Sequence, residues 1–580
     1  MENIYFISDY KPAIKSTITH LGLPEAQVIS YTKGENESCY HDWTSLMFKN
    51  RNIQKLIIPI SLPSDTLNAE GLKIALHIRL NYELSMKERL TPIVFLSDFE
   101  RDTILMKNNF DKDSNPQYLL FTKGVTFSSF DIAEIKKRVA EVNSCPENEY
   151  RENILNKLKI APKASTGKHS IANAWGCHKL AFISGNKAVL ENKEIAGDLK
   201  TLYAKYLICL NETFSDKLFC DLYPLKATNK KVLFIDDQAD EGWGDLMGKI
   251  FSGNDFVCVD SGKYKNQETK QFHDFEGFYE ECTSHIGKDW DLIIIDLRLH
   301  PEKEDMDKDM ISPTKLTGYE LLDKFLSANA GYQIIVFTAS NKIWNINAAL
   351  KRGAHSYYIK ESPEFNYSFQ ESREQYRIFK EDVKNCFKRD FLKKLYCSIK
   401  KIIQTIDNLS TYPNDFKSEL KNQFQLFWDM ILSAKTKNQF AFSYVILYMV
   451  IEILNKHLIR HNIQNDKWEI IGSNALLDWE WDDLQQKCVN SGTDITGYNC
   501  PEWKKFAGIY FQKWLGTDHQ LVYDIKFLIR KRNGFIHNDK SIMNEKDNQR
   551  QYFNRDIYTK TGVIKLFDAV EKIIGFLSCA

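Results

Sequence analysis

The sequence predicts a multidomain α/β plus all-α protein, with doubly wound parallel sheets in its first part and a helical bundle in its last. Three observations predict it. Residues 229–363 hold four short apolar runs, KKVLFIDDQ, DWDLIIIDLRL, IIVFTAS and SYYIKES, each ending in a polar residue: Asp236 and Asp237, Asp296, Thr338, and Lys360. Such runs read as buried parallel strands, and open α/β sheets bind ligands at the carboxyl ends of their strands. Residues 1–145 repeat the alternation of strand-like and helix-like segments, and residues 411–580 show helical periodicity nearly throughout.

In the first α/β segment, Ile4–Ile7, Leu56–Pro59, Ile93–Leu96 and Tyr118–Phe121 read as strands, and Gly71–Leu84 as a helix. Residues 146–225 read as a mostly helical, polar connector. It contains STGKH (Ser165–His169), which lacks the first glycine and the preceding strand of a phosphate loop. The AWGCHK stretch that follows (Ala174–Lys179) has no sequence-level explanation. The second α/β segment spans 226–366, with a long charged insertion at 299–316 that reads as a lid, a docking loop or an unstructured stretch. Residues 367–410 read as a linker helix. Within it Leu395, Ile399, Ile402, Ile406 and Leu409 form either a two-heptad coiled-coil seam or the core face of the next domain. Helices are expected at Asp415–Ala434, Phe440–His457, Ala475–Val489, Pro501–Leu515, Leu521–Ile536 and Lys560–Leu577, without strand alternation.

Composition bounds the function classes. At 580 residues the chain is long enough for three or four domains. Lys+Arg and Asp+Glu both total 77, so net charge points to neither nucleic acid nor membrane, although a local basic patch stays open. The 12 cysteines have no C-x-x-C pair or metal-ligand spacing, which fits reduced thiols and a cytoplasmic location. The N-terminus lacks signal-peptide features. The most apolar stretch, Phe440–Leu454, is short for a bilayer span and carries Glu452, so no membrane association is expected.

The ordered set Asp236, Asp237, Asp296, Thr338 and Lys360, with the aromatic Tyr357 three residues before the lysine and Gly318 before YELL, resembles the receiver domain of bacterial response regulators. The resemblance implies a flavodoxin-like fold in which Asp296 is the phosphoacceptor. Asp237 and Asp296 would hold Mg²⁺ through oxygen ligands, and Asp236, Thr338, Lys360 and Tyr357 would support the site. It also implies a cognate histidine kinase or other phosphodonor in a phosphorelay. Residues 1–145 resemble a degenerate receiver. There Gly71 matches Gly318, the acceptor position falls on Ile60 or Ser61, the acidic pair is reduced to Asp9, and Lys123 is the candidate for the lysine.

In the last domain, LVYDIKFLIRKRNGFIHNDK (Leu521–Lys540) carries Arg532, Asn533 and His537. The motif and its all-helical context resemble HEPN domains, many of which are metal-independent endoribonucleases. A histidine titrating near neutrality suits proton transfer from an RNA 2′-hydroxyl, and a planar guanidinium suits the phosphate. Asn533 and His537 lie four apart and share a helix face, whereas Arg532 points aside, which the family resolves by homodimerisation. Arg530, Lys531 and Lys540 would form an RNA-binding patch. The resemblance implies cleavage of tRNA or other cellular RNA in stress response or phage defence. A non-catalytic adaptor, using the bundle to dimerise or to bind a partner, is the alternative. No helix-turn-helix signal supports a transcription factor.

Overall fold

The computed structural model describes residues 3–9, 12–31, 37–62, 69–106, 114–161, 168–186, 199–211, 225, 228–266, 269–300, 316–340, 342–363, 365, 367–473, 475–536 and 559–579. The chain divides into two compact units, one of residues 1–325 and 333–388, the other of residues 326–332 and 389–580.

The first unit contains two five-stranded sheets whose ladders are all parallel. The first sheet is built from β1 (Ile4–Ser8), β2 (Val28–Ser30), β3 (Lys55–Pro59), β4 (Ile93–Leu96) and β5 (Val125–Ser128), in the order β2-β1-β3-β4-β5. Its helices are α1 (Pro12–Leu21), α2 (Glu37–Lys49), α3 (Glu70–Arg79), α4 (Met86–Arg89), α5 (Arg101–Met106) and α6 (Ile132–Glu141). Leu56–Ile58 and the whole of β4 are buried, as expected for strands covered on both faces. The expected strand at Tyr118–Phe121 is instead part of a 3₁₀ turn, Pro116–Phe121. Pro116 supplies no ladder donor, and Leu119 and Leu120 are buried without strand pairing. The fifth strand follows at Val125, and β2 had no expectation at all.

Two connector helices follow a short turn of helix, α7 (Tyr150–Asn153). They are α8 (Lys168–Ser184) and α9 (Leu202–Asn211). α9 packs on both sheet domains: Lys205 Nζ meets His77 Nδ1 and Leu202 and Cys209 lie in the first core, while Ile208 lies in the second. α8 joins the second, contributing Trp175, Cys177, Leu180 and Ile183 to its core. Of the STGKH stretch, Ser165–Gly167 lie outside the described residues.

The second sheet is built from β6 (Lys231–Ile235), β7 (Asp255–Cys258), β8 (Leu292–Ile295), β9 (Ile334–Thr338) and β10 (Ser356–Ile359), in the order β10-β9-β8-β6-β7. With strands numbered within each domain, both sheets have the order 2-1-3-4-5, the flavodoxin-like topology, with its switch point between the first and third strands. The flanking helices are α10 (Trp243–Ile250), α11 (Phe275–Ser284), α12 (Thr317–Ala328), α13 (Ile343–Arg352) and α14 (Phe369–Lys388). The 299–316 insertion leaves and re-enters at neighbouring points, where Leu299 N donates to Thr317 Oγ1 at 3.2 Å. Residues 301–315 lie outside the described residues.

The second unit is mostly helical: α15 (Phe391–Asp407), α16 (Asn414–Ser433), α17 (Lys437–Leu458), α18 (Glu502–Gly508, continued as a π turn to Lys513), α19 (His519–Ile536) and α20 (Lys560–Cys579). The expected linker helix at 367–410 is thus two helices, α14 and α15, one in each unit. Leu395, Ile399, Ile402, Ile406 and Leu409 are buried in the core of the second unit, which decides for the core face over the coiled-coil seam. The expected helix at Ala475–Val489 is a correction of a different kind. There the chain forms a hairpin of β13 (Leu477–Asp482) and β14 (Lys487–Asp494), after a first hairpin of β11 (Ile459–Asn462) and β12 (Lys467–Ile470). Leu-Asp-Trp-Glu-Trp-Asp alternates with period two, a strand signature. α17 has 22 residues and is long and apolar enough to cross a membrane, longer than the stretch read from sequence. Tyr444, Leu447, Tyr448, Ile451 and Leu454 nevertheless place it in the unit's core.

Candidate functional site

The apolar runs of β6, β8 and β10 deliver Asp236, Asp237, Asp296 and Lys360 to one buried pocket. One oxygen from each of the three carboxylates lies within 4.8 Å of the others. Lys360 Nζ bridges two of them, 2.7 Å from Asp236 Oδ2 and 2.7 Å from Asp296 Oδ2. Backbone amides hold the remaining oxygens: Gln238 N donates to Asp236 Oδ1 at 2.9 Å and Arg298 N to Asp296 Oδ1 at 3.2 Å. Thr338 is buried at the end of β9, its Oγ1 accepting from Ser340 N at 3.1 Å. Tyr357, on the edge strand β10, is 37% exposed.

The electrostatics follow from burial. Desolvation and the neighbouring carboxylates push the Asp237 carboxyl well above its ordinary range. Burial also raises Asp236, partly offset by Lys360. Burial alone would lower Lys360, but the surrounding carboxylates outweigh it and raise the ammonium. Three carboxylates against one ammonium form an oxygen-rich set that suits a hard divalent cation.

Sequence reasoning missed three residues around this pocket. The Trp243 ring lies under the Lys360 ammonium, centroid 5.2 Å away. Lys265, buried between β7 and α11, pairs with Asp240 at 2.9 Å and Glu241 at 3.3 Å, and its charge moderates Asp237. Glu361 forms a buried ion pair with Lys179 of α8. None stands at a strand end with a periodic signal. Only the adjacency of Glu361 to Lys360 was there to be read.

The first sheet repeats this frame without its chemistry. A Cβ on Gly318 would lie 2.2 Å from the carbonyl oxygen of Asp296, and one on Gly71 would lie 2.0 Å from that of Pro59. Gly318 N donates to Leu297 O and Gly71 N to Ile60 O. The position that matches Asp296 is therefore Pro59, not Ile60 or Ser61. Carrying the ladder registers outward from that match pairs Ser8 with Asp236, Asp9 with Asp237, Ser97 with Thr338, and Phe130 with Lys360. Phe99 N donates to Ser97 Oγ at 3.1 Å, the same bond that Ser340 makes to Thr338. Lys123 does not take the lysine position: it precedes β5, at the opposite sheet edge, and pairs with Glu149 at 2.6 Å.

In the second unit, α19 runs unbroken through Gly534 to Ile536. Arg532 Nη1 donates to Asn533 Oδ1 and its Nη2 to Glu452 Oε1 on α17, both at 2.9 Å, with the guanidinium 5.3 Å from the Tyr448 ring centroid. Burial raises the Glu452 carboxyl despite Arg532. Arg530 is exposed. His537 and Lys540 lie outside the described residues, as does the side chain of Lys531.

Residues 13–128 match the family model of the inactive receiver domain. No curated protein matches the chain. Solved structures with similarity include a CheY-like response regulator receiver domain protein from Methanospirillum hungatei JF-1, at 15% identity and TM-score 0.18, covering 27% of this chain and 98% of that one. NtrX from Brucella abortus, in complex with ADP, shows 15% identity and TM-score 0.19 over 32% of this chain and 35% of its own. A response regulator from Burkholderia pseudomallei, with a phosphorylated aspartic acid, calcium ion and citrate, shows 17% identity and TM-score 0.16 over 26% and 74%. The family match thus falls on the first sheet domain, and the second sheet has the same strand order and carries the acidic pocket.

Proposed function

We propose that the chain is a phosphorylation-controlled regulator in which Asp296 accepts a phosphoryl group and the helical unit is the output. The observation that carries this reading is Lys360 bridging Asp236 and Asp296 at 2.7 Å each, with Asp237 beside them. Asp237 and Asp296, with Asp236 adjoining, would hold Mg²⁺, which supplies charge neutralisation for the phosphodonor. A carboxylate oxygen of Asp296 forms the new bond to phosphorus, and the donor's leaving group departs with its electron pair. Lys360 pairs with the acyl phosphate as a point charge, and Thr338 offers its hydroxyl. A histidine kinase is the natural phosphodonor for such a fold.

For the output we favour metal-independent RNA cleavage at a dimeric site of Arg532, Asn533 and His537, in stress response or phage defence. Its support is the Arg532 guanidinium, oriented by Glu452 and Asn533 on a continuous helix. His537 would take the 2′-hydroxyl proton as that oxygen attacks phosphorus and the 5′-oxygen leaves, and Arg532 would stabilise the developing charge. The same pairing of Arg532 with Glu452 favours a second reading, a phospho-gated adaptor in which the arginine is structural. Incubation of total and transfer RNA with the purified chain, with and without acetyl phosphate and Mg²⁺, decides between them. Cleavage abolished by His537→Ala and altered by Asp296→Asn is the expected result; intact RNA alongside labelled Asp296 supports the adaptor.

A further inference from the structure

We propose that helix α8 reads the state of the acidic pocket, because it is docked on both immediate neighbours of Lys360. The inference rests on the reading of Asp296 as phosphoacceptor and names how that site is regulated.

The contacts come from the AWGCHK stretch and the residue before it. Asn173, Gly176 and Lys179 recur every three residues and so share one helix face. Asn173 accepts from the indole nitrogen of Trp243, the ring that lies under the Lys360 ammonium. It also donates to Glu241 O at 3.0 Å. Gly176 lies against the far edge of that ring, where an added Cβ would be 3.0 Å and 3.2 Å from two of its carbons. The same Cβ would be 2.7 Å from the carbonyl oxygen of Glu361, the residue after Lys360. Lys179 closes the contact through its buried ion pair with Glu361 and a 2.6 Å bond to Tyr367 O. Glu361 in turn accepts from Tyr367 N at 3.0 Å.

Lys360 Nζ lies 2.7 Å from both Asp236 Oδ2 and Asp296 Oδ2 and donates to the latter. A phosphoryl group on Asp296 replaces one of these carboxylates with a larger, more negative partner. The ammonium then redistributes against Trp243, and the backbone at 360–361 moves with it. α8 meets that change at the ring and at the carbonyl. Linkage is reciprocal, so docking of α8 biases the affinity of the pocket for phosphate as much as phosphate biases docking. Gly176 and Lys179 are positioning residues in this scheme, acting through Trp243 and Glu361.

The test is hydrogen exchange on the full chain with Mg²⁺ and beryllofluoride, following peptides across 171–184. Protection there is expected to change several-fold on loading, and not in Asp296→Asn. Gly176→Ala, which must displace α8 from the Glu361 carbonyl, is expected to change the rate of acetyl phosphate labelling of Asp296 several-fold. Lys179→Met is expected to act in the same way and Lys179→Arg to restore the rate. Should Lys179→Met fail to fold, the exchange experiment on the unsubstituted chain still decides. Unchanged protection over 171–184, with Asp296 shown by intact mass to carry phosphate, overturns the inference and leaves the acceptor reading standing. Failure of Asp296 to label at all overturns both.

Discussion

Asp237 is held in the pocket against its own solvation, and this has a consequence that changes with pH. Its folded-state carboxyl lies well above its ordinary value because of burial and the carboxylates of Asp236 and Asp296. A raised carboxyl favours the folded state only while protonated. Its stabilising share is therefore present below the unfolded value of about 3.9 and is lost as pH rises above it. Asp237→Asn is accordingly expected to raise the melting temperature of the Mg²⁺-free protein at neutral pH, by on the order of 1 kcal/mol or more of stability. The gain should shrink toward pH 4 and when Mg²⁺ is added, which thermal melts across pH would measure. At the other candidate site, Arg532→Lys keeps the charge but loses the fork that reaches Glu452 and Asn533. RNA cleavage rates are expected to fall ~10²-fold, the size of one lost transition-state donor. The acidic pocket was legible at this scale because each of its residues follows an apolar run that can only be a buried strand. The matching positions of the first domain were not. Ile60 extends the apolar run past Pro59, and the lysine position, Phe130, depends on a strand whose place the YLLF run disguised.

Among elements, two helices begin closer to a strand than any side chain permits. α3 and α12 both start with the backbone of a glycine set against the carbonyl of a matched residue, Pro59 or Asp296. Gly71→Ala and Gly318→Ala are each expected to destabilise the first unit by ~1–3 kcal/mol, because the oxygen they would strike is backbone and cannot rotate away. Gly575, inside α20 with nothing within 4 Å of an added Cβ, is the control. Gly575→Ala should stabilise the second unit by ~1 kcal/mol through helix propensity alone. Denaturant melts read all three. Helices α16, α17, α19 and α20 were legible from their periodicity. The hairpin at β13 and β14 was legible too, in its alternating Leu-Asp-Trp-Glu-Trp-Asp, although the reading of the region found no strand alternation.

Over the whole molecule, the chain carries one strand order twice, and among the described residues only one copy holds a buried acidic cluster. Acetyl phosphate with Mg²⁺ is therefore expected to label Asp296 alone. Peptide mass spectrometry should find no phosphate in residues 1–145, and Asp296→Asn should remove the label entirely. The repeat was visible in the sequence as a matching order of strands and as Gly71 beside Gly318. The role of the connector was not visible. α8 packs in the core of the second sheet domain and α9 divides its residues between both cores, and such burial is set by tertiary partners that no local pattern encodes.

The first domain keeps the strand order, the close glycine and the serine hydroxyl bond of the second, but lacks its charged side chains and, with Pro59 in place of Asp296, the amide that donates to Ile235 O. It is a socket with its contacts removed. Ser8→Asp, Pro59→Asp and Phe130→Lys together would give the first domain the acidic pair, the central carboxylate and the lysine of the second.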